Sequence, residues 1–96
     1  MKQFVIIARD GQDEAAPARR SKIRPLHLEG ARKLKPSGNF VIGGAMLDES
    51  GTMRGSIVIV QFETENEFQE WYANEPYITG KVWEKIDIQP FRVSEV

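Results

Sequence analysis

The sequence predicts an α+β fold with one antiparallel sheet, and two observations support this. Four segments are rich in β-branched or alternating apolar residues and have the length of strands, while two others show apolar residues at helical spacing. In chain order these segments read β-α-β-β-α-β. That order is typical of the ferredoxin-like, split βαβ arrangement, in which both helices lie on one face of the sheet.

The first half of the chain supplies one strand and one helix. Phe4–Ala8 is β-branched and of strand length, and the polar stretch Arg9–Pro17 is predicted to be a loop. A helix is expected from about Ala18 or Pro25 to Lys35, since the proline either occupies a first helical turn or kinks a longer helix. Apolar or small residues recur within it at Ile23, Leu26, Gly30, Ala31 and Leu34.

The second half supplies the other elements. In order they are a strand at Phe40–Met46, a turn at Asp48–Gly51, a strand at Gly55–Phe62, a helix at Glu65–Ala73 that Thr64 can cap, a structured loop at Asn74–Gly80 and a strand at Val82–Phe91. No internal repeat or linker interrupts them, so we expect residues 1–96 to form a single domain.

Composition excludes several classes of function. The net charge of −1 argues against a general nucleic-acid binder, which needs a basic excess to displace counterions. The absence of cysteine excludes disulfides and thiolate nucleophiles, and a single histidine with scattered acidic residues predicts no metal site. No cofactor is implied either. With no signal-peptide pattern and no apolar run of membrane-spanning length, we expect a cytoplasmic protein without membrane contacts.

Two strands are apolar on both faces, which predicts a homodimer. Phe4–Ala8 and Ile57–Val60 place apolar side chains on either side of the sheet, yet the helices can cover only one side. A monomer would expose a large apolar patch on the other side. A second copy packed sheet against sheet by a two-fold axis is the simplest cover.

His27 is the sole histidine and falls at helical spacing from Ile23 and Ala31. Its ring is therefore expected to point toward the body of the protein. Imidazole suits proton transfer near neutral pH, so His27 is a candidate general acid or base. A core histidine satisfied by one hydrogen bond is the alternative.

Three other segments carry candidate site residues. Gly43–Gly44 allows a close approach at the end of a strand, or else forms a β-bulge. Gly55–Ser56 could present a hydroxyl, or could serve only the turn before its strand. Glu75–Pro76–Tyr77 places a carboxylate, a rigid turn and a phenol in a row, although a solvated glutamate and a packing tyrosine would look the same.

Charge and aromatic residues suggest what the site could bind. Arg24 lies about one helical turn before His27 and would favour a small anionic molecule at a cleft mouth, unless it belongs to a solvated basic face. Trp71, Tyr72 and Trp83 could line such a cleft, with core packing the alternative for Trp71 in particular.

Together these segments resemble the YciI-like (YCII-related) family. The blocks are Arg24-Pro25-x-His27-Leu28, Gly43-Gly44-Ala45, Gly55-Ser56, Glu75-Pro76-Tyr77-x-x-Gly80 and Ile88-x-Pro90-Phe91. The resemblance implies a ferredoxin-like fold assembled as a dimeric α/β barrel, with a His–Asp pair in a cleft beside the sheet. The histidine matches His27, and the aspartate of the family's Asp-Pro-Tyr motif is replaced here by Glu75.

The leading hypothesis is a cofactor-independent enzyme, a lyase or isomerase, acting on a small organic acid. His27 would transfer the proton and Glu75 would orient it, while Arg24, Gly44, Ser56, Tyr77 and Trp83 would bind the substrate. The alternatives are a non-catalytic dimeric module that binds a ligand in the same cleft, and a purely structural protein with a core histidine.

Overall fold

The protein is described by a computed structural model that covers residues 1–96. Its elements are β1 (Lys2–Asp10), α1 (Ala16–Leu34), β2 (Phe40–Leu47), β3 (Met53–Phe62), α2 (Glu65–Ala73), α3 (Pro76–Thr79) and β4 (Trp83–Phe91). The four strands form one antiparallel sheet in the order β2-β3-β1-β4. The predicted ferredoxin-like α+β fold is confirmed.

Helix α1 is the longer of the two alternatives, and it runs through Pro25 rather than beginning there. It starts at Ala16, so part of the stretch predicted as a loop is helical, and Pro17 lies in its first turn. Proline inside a helix leaves the carbonyl four residues earlier without its donor. That carbonyl belongs to Ser21, and both residues are exposed, so water can satisfy it.

The segment predicted as a loop after α2 contains one further helical turn, α3. Glu75 is its N-cap and accepts a hydrogen bond from the backbone N–H of Tyr77, while Pro76 occupies the first helical position. The turn ends at Gly80, whose backbone N–H donates to the carbonyl of Pro76. This short element fixes the position of Glu75 and Tyr77 against α1.

The core lies between the sheet and the helices. Inward side chains of β1 and β3 alternate with outward ones, and Ile6 pairs with Val58 across the strands. Phe68 of α2 packs on them, its ring centroid 4.1 Å from that of Phe4. Leu26, expected on the inner face of α1, is 56% exposed, because the face of α1 toward the sheet carries Arg20 and His27.

The opposite face of the sheet carries a second set of apolar side chains. The register aligns Ile42, Ile59 and Val5 across three strands, and Ile57 with Ile7. Ile42 is 61% exposed and Ile57 41% exposed, so one chain alone leaves this helix-free face largely uncovered. The homodimer that this face suggests stays a prediction.

None of the helices combines the length and the hydropathy that crossing a bilayer would require.

Candidate active site

His27 and Glu75 form a buried pair between α1 and the start of α3. The His27 residue is 9% exposed and Glu75 is 4% exposed, and His27 Nδ1 lies 2.5 Å from Glu75 Oε1. A carboxylate oxygen accepts, so Nδ1 carries a proton, and in the neutral ring Nε2 then presents a lone pair. The histidine is therefore neither solvated nor alone in an apolar core.

The carboxylate of Glu75 is held from a second side. Oε1 also accepts from the backbone N–H of Tyr77 at 3.2 Å, as the N-cap of α3. Pro76 restricts the backbone between them. Glutamate is one methylene longer than the aspartate expected at this position, and the geometry shows that the longer side chain still reaches the ring.

The other edge of the imidazole faces a small cleft between α1 and the β2–β3 hairpin. The cleft has a volume of about 140 Å³, and its lining includes His27, Arg24, Gly44, Ser56 and Tyr77. Nε2 makes no hydrogen bond within the chain and is not sealed from solvent. A bound molecule in this cleft would thus meet Nε2, which can accept a hydrogen bond or a proton when the ring is neutral.

Tyr77 stacks directly on the histidine. The two ring centroids are 4.1 Å apart and the rings are inclined by 14°. The Tyr77 hydroxyl has no hydrogen-bond partner in the chain. Burial raises the pKa of the Tyr77 phenol, an effect that the positive charges of Arg20 and Arg24 oppose only in part. Tyr77 therefore remains a neutral phenol, able to donate into the cleft.

A buried ion pair, which the sequence analysis did not identify, lies beside Ser56. Arg20 Nη1 donates to Asp10 Oδ1 at 2.9 Å and to Oδ2 at 3.0 Å, while Arg20 Nη2 donates to Ser56 Oγ at 2.8 Å. The Arg20 guanidinium carbon also lies 4.6 Å from the centroid of the Tyr77 ring. Arg20 thus links the end of β1 to two residues of the cleft.

Trp71 and Tyr72, which could line the cleft by sequence, pack against the apolar core and lie outside the lining. Trp83, a predicted substrate-binding residue, also lies outside it. It is buried behind Ser56, and its indole N–H donates to Ser56 Oγ at 3.2 Å. The centroid of its ring system also lies 6.3 Å from that of His27 and 5.5 Å from that of Tyr77. The expectation that Trp83 lines the cleft is corrected, since Trp83 lies behind residues that form the lining.

The two neighbouring glycines of β2 differ in what they permit. A Cβ at Gly43 would approach the Phe40 ring to 2.8 Å, whereas a Cβ at Gly44 would meet nothing within 4 Å. Both glycines contribute to the cleft lining, and Gly43 is the position where an added Cβ would force the Phe40 ring to move. Arg24 is exposed, forms no ion pair and contributes to the lining.

A signal for the missed pair was present in the sequence. Arg20 is seven residues before His27 and four before Arg24, so all three share one face of α1. Asp10 continues the inward alternation of Phe4, Ile6 and Ala8. A charged residue at the next inward position of an alternating strand is a candidate for a buried ion pair.

Comparison with known proteins identifies the family of the chain. Residues 2–92 match the YCII-related domain. The chain belongs to the YCII-related family. It is 30% identical over 95 residues to "Protein YciI" of Escherichia coli O6:H1, covering 93% of this chain and 95% of that one. The family resemblance inferred from the sequence motifs is confirmed.

Solved structures with similar folds include two enzymes. The 5-chloro-2-hydroxyhydroquinone dehydrochlorinase of Burkholderia phenoliruptrix AC1100, in complex with 2,5-dihydroxybenzoquinone, has a TM-score of 0.79 and 20% identity, with 96% of this YCII-related chain and 95% of that chain covered. An antibiotic biosynthesis monooxygenase has a TM-score of 0.58 and 11% identity, with 99% and 100% covered. At these sequence identities, the similarity shows a shared fold and nothing further.

Proposed function

We propose that this YCII-related protein is a small-molecule enzyme in which His27 transfers a proton as general acid and base. The observation that carries the proposal is the buried His27–Glu75 pair, whose free Nε2 opens into a cleft. Glu75 holds Nδ1–H, so the lone pair of Nε2 is directed at the ligand. When Nε2 accepts a proton, the adjacent carboxylate stabilises the imidazolium that forms.

The size and charge of the cleft limit the ligand. A cavity of about 140 Å³ is close to the roughly 150 Å³ that accommodates a benzene-sized molecule. Arg24 has no carboxylate partner and lies at the lining, which favours an anionic group. We therefore propose a small organic acid, of one ring or less, as the substrate.

The reaction class is isomerisation or elimination. Both begin with removal of a proton by a base and need no redox partner, which a single histidine–carboxylate pair can supply. Elimination is included because the dehydrochlorinase of Burkholderia phenoliruptrix has this fold. Removal of a proton followed by its return at another atom gives isomerisation, and departure of a leaving group gives elimination.

A non-catalytic ligand-binding module is the second candidate. One observation favours it: Glu75 caps α3 through the same oxygen that meets His27, so its carboxylate has a structural role whether or not a proton moves. In this case the cleft would bind the same small anions without changing them.

Proton exchange in D2O separates the two candidates before a natural substrate is known. One-ring enolisable ketones and hydroxyquinones, with 2,5-dihydroxybenzoquinone among them, are incubated with the protein, and loss of C–H signals is followed by proton NMR. An enzyme should accelerate exchange for at least one compound. His27→Gln should lower that acceleration by about 10²–10⁴-fold, the usual contribution of a general base.

Glu75→Gln tests the orienting role. The glutamine carbonyl can still accept from the Tyr77 N–H, so the cap of α3 is retained while the negative charge is lost. We expect slower exchange than in wild type, with Glu70→Gln on the exposed face of α2 as the matched control. Binding without exchange would favour the second candidate, and equal rates in wild type and His27→Gln would exclude His27 as the base.

A further inference from the structure

Ser56 has a hydroxyl proton that no atom of the chain accepts. Its Oγ accepts from Arg20 Nη2 at 2.8 Å and from Trp83 Nε1 at 3.2 Å, and both partners can only donate. A hydroxyl offers two lone pairs and one proton. With both lone pairs occupied, the proton of Ser56 is left for an acceptor in the cleft that the residue lines.

A second hydroxyl of the cleft, that of Tyr77, also has a proton that no atom of the chain accepts. Tyr77 Oη lies in a residue that is 1% exposed, makes no hydrogen bond and still has contact with the cleft. The charged group free at the lining is the Arg24 guanidinium, a donor without acceptor capacity. The polar side chains around the cleft therefore offer proton donors at Ser56, Tyr77 and Arg24, whereas His27 Nε2 is an acceptor when the ring is neutral.

We propose that Ser56 and Tyr77 donate hydrogen bonds to an oxyanion that develops on the substrate while His27 removes the proton. The substrate class is a small carbonyl compound with an acidic C–H next to the carbonyl carbon. Nε2 takes the proton, the C–H electron pair forms a carbon–carbon double bond, and the carbonyl π pair moves to oxygen. The products of this step are an enolate and the imidazolium of His27.

The ion pair between Asp10 and Arg20 positions the serine donor. It fixes Arg20 Nη2 on one lone pair of Ser56 Oγ, and the Trp83 indole fixes the other, so the hydroxyl proton has one direction left. Donors set in place before charge develops lose little free energy to reorganisation during the reaction. Arg20 is accordingly a positioning residue, while Ser56 and Tyr77 touch the substrate.

This inference rests on the proposed function for the proton-transfer step, but the donor pair can be tested by binding alone. The probes are 4-nitrophenolate, at mildly alkaline pH where it is ionised, and nitrobenzene, which has the same ring and nitro group but lacks the phenolate oxygen. Their dissociation constants are measured by competition or calorimetry. Wild type should bind the phenolate at least about tenfold more tightly, since a charge-assisted hydrogen bond contributes more than a neutral one.

Ser56→Ala should reduce the preference for 4-nitrophenolate over nitrobenzene about tenfold while leaving the affinity for nitrobenzene near its wild-type value. Tyr77→Phe should act in the same direction and keeps the ring that stacks on His27, so it serves if Ser56→Ala does not fold. Ser94→Ala, at an exposed position of the tail, is the matched control.

The proposal is wrong if wild type does not distinguish the two probes, or if Ser56→Ala and Tyr77→Phe both keep the full preference. Failure of proton exchange with an intact preference would remove the proposed function and leave the oxyanion-binding pair. Proton exchange that depends on His27, in a protein with no preference for 4-nitrophenolate, would retain the proposed function and remove the oxyanion-binding pair. The two failures are therefore distinguishable.

Discussion

Replacing Asp10 by alanine should be among the most destabilising single changes outside the apolar core. The carboxylate of Asp10 and the guanidinium of Arg20 have side chains that are 2% and 5% exposed, and two short N–O contacts join them. Alanine at position 10 removes one charge and leaves the other buried. Arg20 would retain its hydrogen bond to Ser56, which is a neutral acceptor and does not compensate its charge.

The magnitude follows from burial. Breaking a buried ion pair by removing one partner costs about 3–5 kcal/mol, because the remaining charge is desolvated and uncompensated. A domain of this size has a free energy of unfolding of about 5–15 kcal/mol. Each kcal/mol corresponds to about 4–8 °C in Tm for a chain of this length, so Asp10→Ala should lower Tm by about 12 °C or more.

Urea unfolding followed by circular dichroism gives the change in free energy, and scanning calorimetry gives Tm. Both are recorded at several protein concentrations, because the stability of an assembly depends on concentration. Asp10→Asn should lose less, since an amide oxygen can still accept from Arg20. Asp13→Ala breaks the neighbouring pair with Arg19, whose side chains are 53% and 32% exposed, and should change stability far less.

Equal losses for Asp10→Ala and Asp13→Ala would contradict the prediction, because the two ion pairs are similar in geometry and differ in burial. A loss of less than 1 kcal/mol for Asp10→Ala would show that Arg20 finds water or another partner within the folded chain.

Three further predictions concern other parts of the molecule. Wild type should be a dimer by light scattering at micromolar concentration and Ile57→Lys should shift it toward monomer; a monomeric wild type would contradict the prediction made from the helix-free face. Because burial raises the pKa of Tyr77, its contribution to stability is complete below the unfolded pKa of about 10 and is lost as pH rises through the folded value, so alkaline melts of Tyr77→Phe should fall less steeply than those of wild type. Gly55→Ala should destabilise the protein by about 1–3 kcal/mol in urea melts, since the added Cβ would lie 2.5 Å from a β1 carbonyl oxygen. Gly30→Ala should stabilise it slightly, since nothing lies within 4 Å of the added Cβ on the surface of α1. A change of the same sign in both variants would be inconsistent with the packing.

The fold could be predicted from the sequence because its elements obey simple periods. Strand β3 alternates, with Val58 and Val60 inward, and the order of elements leaves few possible topologies. Whether the helix begins at Pro25 or runs through it could not be predicted in this way, since the cost of an internal proline depends on whether water can reach the carbonyl that it leaves without a donor. Whether a polar segment such as 74–80 forms a helical turn likewise depends on a single cap, Glu75.

The candidate site was predictable where a residue type is rare and not where it is common. His27 stood out as the one histidine, and family motifs pointed to Glu75 as its partner. Arg20 was one arginine among several on a basic helix, and only the tertiary structure shows which of them is buried. Trp83 was expected in the cleft lining and lies behind Ser56 instead, because sequence alone does not say where an indole N–H finds its acceptor.

The convergence of two distant hydrogen-bond donors on Ser56 has a consequence for folding. Ser56 lies in β3, Arg20 is 36 residues before it in α1, and Trp83 is 27 residues after it at the start of β4. Contacts this distant in sequence form late, after the chain has closed long loops. The cleft should therefore be absent from partly folded chains, and recovery of ligand binding during refolding should report the arrival of the last strand rather than the first collapse.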